Sequence, residues 1–336
     1  MGQAPIQIGW IPYLNLVPLY KEFQRLSGVP LSLVSGHPSS VSKWLIDGTI
    51  QLAPASSITL MKASNLRMAM PLGIASDGPV LSVYLGLQRE HEDFWEFVKS
   101  RQSVLTQFFT GLAGEVWDMA NMANELTASC RDFKPEVDVP QLLLTPASAA
   151  SAALTEVLMY LWCGRDSSIK TRSMAKDHVC RSLQDGRFGN RAMELVIGDE
   201  ALQRRHEFWR ILDLGQIWRE ITGLPFVFGL WQTNCRQMTS DSVYRLMEAA
   251  SIAQARMSIE PQVYFPDTLP SSGDGRSIDL AGYWRVIQYK LTARHFKSLL
   301  LYYHLCKLTV GIGNGENDAV RLATWSQGWP LNEVST

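Results

Sequence analysis

Asn15 is the residue of this 336-residue chain best suited to hold a ligand without titrating. It is the one carboxamide in Pro12-Tyr13-Leu14-Asn15-Leu16, a loop that follows the β-branched positions Ile6 and Ile8. A carboxamide donates and accepts hydrogen bonds at once, so it can orient reacting groups and meet a developing oxyanion. Further polar candidates stand at the ends of other apolar runs. They are Ser56 and Ser57 after Pro54-Ala55, Gly78 and Ser82 around Asp77-Gly78-Pro79, Asp199 after Gly198, and Thr222 before Gly223. In Thr145-Pro146-Ala147-Ser148-Ala149-Ala150-Ser151, Thr145 can cap a helix and Pro146 can be its first residue. Ser148 and Ser151 would then add hydroxyls to the free N–H groups of a helix N-terminus, a cradle for a carboxylate. The same residues also suit a plainly structural capped helix. Asp199 equally suits a helix cap or a ligand contact.

The elements that must position these groups read as an α/β alternation. Ile50 to Ala53 is a short buried-type strand emptying into Pro54-Ala55-Ser56-Ser57, after an amphipathic turn capped at Ser39-Ser40 and stopped by Asp47-Gly48. Val80 to Leu87, Leu142 to Leu144, Glu194 to Gly198 and Phe226 to Trp231 are further strands. Ligands of open α/β sheets bind outside the carboxyl ends of the strands, so loops 13 to 15, 54 to 57 and 76 to 82 should converge. Two lobes follow, residues 1–86 with 231–336 and residues 87–230, and the strands near 82 to 87 and 226 to 231 should be the crossovers and the hinge. A helical insertion at about 90–138 places Phe94, Trp95, Phe97, Leu105, Phe108, Phe109, Val116, Trp117, Met119 and Met122 at helical spacings, which predicts two amphipathic helices on the second lobe. Its aromatic content also suits a lid or a subunit contact, so a homodimer is among the partners the sequence allows. Tyr283-Trp284 through Tyr302-Tyr303 read as core helices of the first lobe.

Composition excludes several classes of function. Lys and Arg total 31 against 32 Asp and Glu, so no global field draws the chain onto nucleic acid or an acidic membrane. No run of eighteen uncharged apolar residues predicts a membrane span. The first twenty residues lack a basic region and an unbroken apolar core, so a cytoplasmic location is expected. Cys130, Cys163, Cys180, Cys235 and Cys306 are odd in number and scattered, as reduced thiols would be. The six histidines include no pair at i, i+3 or i, i+4, and no metal site is predicted. Gly311-Ile312-Gly313-Asn314-Gly315 reads as a helix stop rather than a nucleotide loop, because it follows a helix.

The motif set resembles a known family. Tyr13-Leu14-Asn15 with Pro18-Leu19-Tyr20, Ala53-Pro54-Ala55-Ser56-Ser57, Asp77-Gly78-Pro79-Val80-Leu81-Ser82-Val83, Ile197-Gly198-Asp199-Glu200-Ala201-Leu202, and Asp213-Leu214-Gly215 with Trp218 and Thr222-Gly223-Leu224-Pro225-Phe226-Val227-Phe228 resemble the chorismate dehydratases of the futalosine route to menaquinone. The resemblance implies a two-lobed, periplasmic-binding-protein type II fold used as a cofactor-free lyase. It would convert chorismate to 3-[(1-carboxyvinyl)oxy]benzoate and water, with Asn15 catalytic and Ser56, Ser57, Gly78, Ser82, Ser148, Ser151, Asp199 and Thr222 around the substrate. Three features depart from the family pattern: Gln51 at a usually acidic position, Ala150 in place of a threonine, and about forty extra residues between Gln88 and Gln141. The sister 1,4-dihydroxy-6-naphthoate synthases would require a cleft histidine, for which His37 is the nearest candidate. A non-catalytic carboxylate-binding protein is the remaining alternative.

Overall fold

A computed structural model describes residues 7–27, 32–112, 118–165, 171–173, 192–235 and 240–312. Its strands are, in chain order, β1 (Ile8–Trp10), β2 (Leu33–Ser35), β3 (Leu52–Ser56), β4 (Arg67–Ser76), β5 (Val83–Leu87), β6 (Gln141–Leu144), β7 (Thr171–Ser173), β8 (Ala192–Ile197), β9 (Arg210–Asp213), β10 (Phe226–Thr233) and β11 (Gln288–Lys290). They form two mixed sheets, ordered β11-β4-β10-β3-β1-β2 and β7-β6-β8-β5-β9. In the first sheet β1 runs parallel to β2 and β3, while β10 lies antiparallel between β3 and β4. In the second, β6 is parallel to β7 and β8, and β5 is antiparallel to β8 and β9.

The chain passes between sheets twice, from β4 to β5 and from β9 to β10. Each pass delivers a strand that runs antiparallel to its new neighbours. The expected boundaries shift accordingly: β5 lies wholly in the second sheet and β10 wholly in the first, so the crossings are residues 77–82 and 214–225 rather than the strands themselves. The first crossing contains Leu81, the only non-glycine residue with positive φ (65°) among the described residues.

Local chemistry explains several boundaries and corrects others. His37, not Ser39 or Ser40, caps the helix Pro38–Asp47: its ring nitrogen accepts from the Ser39 N–H, and Pro38 fills the first turn, where its missing N–H costs nothing. Gly48 ends that helix at φ 87°, a conformation a side chain would disfavour. β3 runs on through Pro54 to Ser56, because Pro54 pairs only with β10; β1 reaches no further than Leu52. The strand predicted from Val80 starts at Val83, since Val80 and Leu81 give their N–H groups to Asp213. Gln51, at the usually acidic position, accepts from the Gln7 N–H and donates to the Gly48 carbonyl, which is a structural role. Gly311 ends the last described helical turn in a left-handed conformation, whereas Gly313, Asn314 and Gly315 lie outside the described residues.

The insertion forms the helices Glu92–Leu112 and Met119–Cys130, which bury Phe94, Leu105, Phe109, Met119 and Met122. The first packs on the helix Leu214–Thr222, and the second sits between the helices Ala149–Cys163 and Ala293–Leu305. Val116 and Trp117 lie outside the described residues. The helix Ala293–Leu305 is not a first-lobe element alone. The Trp218 indole donates to Ser298 Oγ at 2.8 Å, Tyr302 Oη to the Ala150 carbonyl at 2.9 Å, and Tyr303 Oη to the Ser57 carbonyl at 2.6 Å, so this helix bridges both sheets. Cys130, Cys163, Cys235 and Cys306 are free thiols, and Cys180 lies outside the described residues.

His295, at the start of that bridging helix, makes acid stability testable. Its Nδ1 accepts from the Thr292 N–H at 3.0 Å and its Nε2 meets Gln288 Oε1 at 2.9 Å. Burial pulls its pKa down to about 4, against an opposing pull from the Asp77 charge. Between the unfolded value near 6.5 and about 4 the unfolded chain binds a proton that the folded chain refuses. Stability should therefore fall as pH drops through that window, by at most about 3 kcal/mol. Urea midpoints of wild type and His295→Gln between pH 7 and 4.5 should diverge, with the variant flatter; parallel curves would count against this assignment.

Candidate functional site

The carboxyl ends of β1 and β3 and the first crossing face the helix Ala149–Cys163 and the end of β8 across a narrow chamber. Ile11, Tyr13, Asn15, Leu16, Ser56, Ile74, Val80, Ser82, Ser148, Ser151, Ile197, Gly198 and Phe228 are among its lining residues. Its volume is about 80 Å³, against roughly 300 Å³ or more for common small-molecule sites. A larger outer chamber of about 460 Å³ adjoins it and shares Tyr13, Ala147 and Ile197 as wall residues. A ligand larger than the inner space must part the lobes or reach into the outer chamber.

Asn15 sits in the short turn Leu14–Leu16, which is clamped from several sides. The Leu14 N–H donates to Asp199 Oδ1 at 3.0 Å, the Trp284 indole donates to the Leu14 carbonyl at 2.8 Å, and Tyr289 Oη donates to the Asn15 carbonyl at 2.7 Å. With its backbone fixed, the side chain is left over: Asn15 Oδ1 is buried and has no hydrogen-bond partner. A buried acceptor left unpaired costs about 1–3 kcal/mol, so this atom awaits a donor. Asp199 therefore neither caps its own helix nor faces the inner chamber directly; it ties the second lobe to the Asn15 turn. Burial raises its pKa, and the Leu14 N–H works the other way. Gly198 approaches so closely that a Cβ there would lie 3.0 Å from the Tyr13 ring. Tyr13, whose pKa is pushed up to about 12 first by burial and then by Asp199 and Glu200, remains a neutral wall.

Ser82 is buried beneath the strained crossing. Its Oγ receives the Tyr283 hydroxyl at 3.0 Å, and its carbonyl receives the Gly198 N–H at 2.7 Å. The crossing owes its shape to Asp213, whose carboxylate accepts the N–H groups of Val80 (3.1 Å), Leu81 (2.8 Å) and Gln216 (3.0 Å). Burial raises the pKa of Asp213, and those N–H donors oppose the rise.

On the opposite wall, the cap of the helix Ala149–Cys163 is Ser148, not Thr145. Ser148 Oγ accepts the Ser151 N–H at 3.2 Å and lies 2.8 Å from Ser151 Oγ, while Thr145 Oγ1 accepts from the Ala147 N–H in the preceding turn. Ser56 reaches across the chamber, and its Oγ accepts the Ala150 N–H at 2.8 Å. A first-lobe hydroxyl thus occupies a donor that a ligand oxygen could take. Ala150, in place of a threonine, leaves no extra hydroxyl here but still offers its amide.

Three predicted site residues fall elsewhere. Ser57 is buried behind the wall, with its carbonyl on Tyr303 and its N–H on the Phe228 carbonyl. Thr222 Oγ1 donates to the Trp218 carbonyl and accepts the Leu224 N–H, closing its helix. Gly78 lines a separate surface groove with Asp77, Pro79 and Thr222. Asp77 is held by Arg219 at 2.6 Å and Arg294 at 2.8 Å, and Glu200 by Arg204 at 2.8 Å. Arg204 also grips both oxygens of Glu194 and one of Glu207, so the outer chamber presents a network of ion pairs. His37 lines that outer chamber as a helix cap, not the inner one. Among the described residues of the inner chamber there is no Lys, Arg or His. Nor do the described residues contain a group of three or more metal-ligating side chains.

Asp213, Tyr283, Trp284 and Tyr289 carry the site from behind; Asp213 belongs to the Asp213-Leu214-Gly215 motif, which gives it no role in the site, and the three aromatic residues have no distinctive spacing. Asp213 has a cap-like context, and the aromatic residues read as core, which they also are.

Comparison with solved structures shows the fold. Protein AF1704 from Archaeoglobus fulgidus is 12% identical with a TM-score of 0.59, over 92% of this chain and 98% of that one. The ligand-binding component of an ABC-type import system from Staphylococcus aureus, with zinc bound, is 14% identical with a TM-score of 0.57, over 94% and 96%. The CA3427 gene product of Candida albicans, described as having the generic periplasmic binding protein fold, is 9% identical with a TM-score of 0.56, over 96% and 95%. The two-sheet architecture is thus periplasmic-binding-protein-like. No described helix is long and apolar enough to cross a membrane. The family profile described as menaquinone biosynthesis matches residues 6–105 and 126–308, leaving out only an inner part of the helical insertion and the chain ends. With the profile spanning both lobes and every wall of the chamber, this chain belongs to the menaquinone biosynthesis family.

Proposed function

We propose that the chain is a chorismate dehydratase, converting chorismate to 3-[(1-carboxyvinyl)oxy]benzoate and water in the futalosine route to menaquinone. The observation that carries this reading is Asn15 Oδ1, an unpaired buried acceptor on a clamped turn beside a chamber walled by neutral donors. The reaction breaks the C4–O bond, whose electron pair leaves with the hydroxyl. The C3–H pair closes the aromatic ring, and the C3 proton ends on the departing oxygen as water. Conjugation with the ring carboxylate acidifies C3–H, so the negative charge that develops falls on that carboxylate. A site for this chemistry needs alignment and neutral donors more than a strong base.

The residues match that need. Asn15 Oδ1 can accept from the C4 hydroxyl and hold it in line. Ser82, Ser148 and Ser151 supply hydroxyls, and Ala150 supplies a helix N-terminal amide once Ser56 yields it. Arginines hold Glu194 and Glu200 beside the outer chamber, and Asp77 in its separate groove. Asp199 serves the Leu14 amide. The substrate's own enolpyruvyl carboxylate is therefore the proposed proton acceptor. A 1,4-dihydroxy-6-naphthoate synthase would want a histidine in the inner chamber, and His37 stands outside it.

Asp199→Asn tests the proton route, because the amide oxygen can still accept from Leu14. Turnover of chorismate should stay within about threefold of wild type, whereas removal of a true general base costs about 10²–10⁴. A loss beyond about 10² in a folded variant would make Asp199 the base. The activity itself is tested by new aromatic absorbance when purified protein meets chorismate.

A further inference from the structure

Ser56 lines the inner chamber from the first sheet and reaches the start of the helix that forms the opposite wall. Ala150 is the second residue of that helix, Ala149–Cys163, so its N–H has no partner within the helix. The residue is fully buried, and Ser56 Oγ meets the need by accepting that N–H at 2.8 Å. The backbone on both sides of this bond is pinned. Tyr302 Oη donates to the Ala150 carbonyl at 2.9 Å and its neighbour Tyr303 Oη to the Ser57 carbonyl at 2.6 Å, so one helix holds both ends. The buried Gln232 side chain adds Nε2, which donates to the Ala55 carbonyl at 3.2 Å and to the Ser56 carbonyl at 2.9 Å. The freedom that remains is the Ser56 side-chain torsion, which moves among staggered rotamers.

We infer that the Ser56 hydroxyl is a built-in competitor for the Ala150 amide, and that this competition makes the chamber select an ionised carboxylate over a neutral oxygen of the same shape. A ligand hydroxyl or carboxamide oxygen that displaces Ser56 exchanges one neutral acceptor for another and gains little. A carboxylate oxygen makes the stronger, charge-assisted bond to the amide. Once released, Ser56 Oγ has its own proton to give to the same carboxylate. Rotation of one side chain thus turns a closed contact into a pair of donors, and the gain is largest for an anion. Among the described residues of this chamber there is no Lys, Arg or His, so discrimination by charge falls to neutral donors. A merely structural tie between the sheets would add stability without that discrimination. The inference rests on the chorismate dehydratase reading for the identity of the ligand, and deepens it by stating how the site tells a dianionic substrate from its neutral analogues.

Benzoate and benzamide, alike in shape and different in charge, are the probes, and the backbone amide resonance of Ala150 in the full chain is the reporter. In wild type, benzoate should shift that resonance and bind at least about tenfold more tightly than benzamide. In Ser56→Ala the amide stands open, so benzamide should gain about threefold or more in affinity while benzoate loses a donor, and the two should then bind within about threefold of each other. An affinity ratio unchanged by Ser56→Ala, an Ala150 resonance that benzoate leaves unmoved, or equal affinities in wild type would overturn the inference. Should Ser56→Ala fail to fold, Ser56→Cys takes its place with the same expectations, because a thiol is a weaker acceptor. Turnover of chorismate by the wild-type chain, measured in parallel, separates the two readings. Selective benzoate binding at Ala150 without turnover would remove the reaction and leave the Ser56 contact as inferred. Turnover with an unmoved Ala150 resonance would do the reverse.

Discussion

Replacing Asn15 by Ala is expected to lower turnover of chorismate by about 10² or more, the usual cost of removing a preorganised polar group at a reacting centre. The turn that carries it is fixed by Asp199, Trp284 and Tyr289 through backbone atoms only, so the substitution should leave the fold in place. Asn15→Asp should lose as much turnover for a different reason. It keeps the shape but sets a negative charge against a dianionic substrate, so product affinity should suffer more in Asp than in Ala. Steady-state kinetics with a parallel melting curve separates the cases. Near-normal turnover in a folded Asn15→Ala would reduce Asn15 to a loop-structuring residue and move the site toward Ser82.

Replacing Asp213 by Ala should give the largest loss of stability. One buried carboxylate holds the N–H groups of Val80, Leu81 and Gln216, and with them a leucine at φ 65°. Its removal strands those donors and releases the strained crossing, at a cost of about 3–5 kcal/mol. Asp213→Asn should recover only part of this, because one of its two acceptor oxygens becomes a donor facing N–H groups. Chemical unfolding of the three proteins reads the effect. A difference below about 1 kcal/mol between wild type and Asp213→Ala would mean that the crossing holds its shape without the carboxylate. Since Ser82 follows Leu81 directly, the Ala variant should also lose turnover out of proportion to its residual folded fraction.

How far the sequence foretells this site follows from which interactions are local. The α/β alternation, the stop at Asp47-Gly48 and the helical insertion were legible because periodicity and turn chemistry act within a few residues. So were Asn15, Ser56, Ser82, Ser148 and Ser151, which stand where strands or helices end. The cap at Ser148 was misplaced by three residues because Thr145-Pro146 satisfies the same local pattern, and only packing against Ser56 chooses between them. Ser57, Gly78 and Thr222 share motifs with true wall residues, but Ser57 lies one position beyond Ser56 and faces the other way, Gly78 lies in the crossing, and Thr222 closes a helix. Asp213 stood out only as part of the Asp213-Leu214-Gly215 motif, with no role in the site, and Tyr283 stood out only as core. Val80 and Leu81 lie more than a hundred residues from Asp213, as Ser82 does from Tyr283, and nothing local distinguishes a capping aspartate or a core tyrosine from one that shapes a chamber.

The activity is tested most directly by mass spectrometry of chorismate incubated with the purified wild-type chain. The account predicts stoichiometric appearance of an aromatic product lighter than chorismate by one water, with the Asn15→Ala protein slower by about 10². Recovery of unchanged chorismate, or formation of the product at the same rate in both proteins, would contradict it.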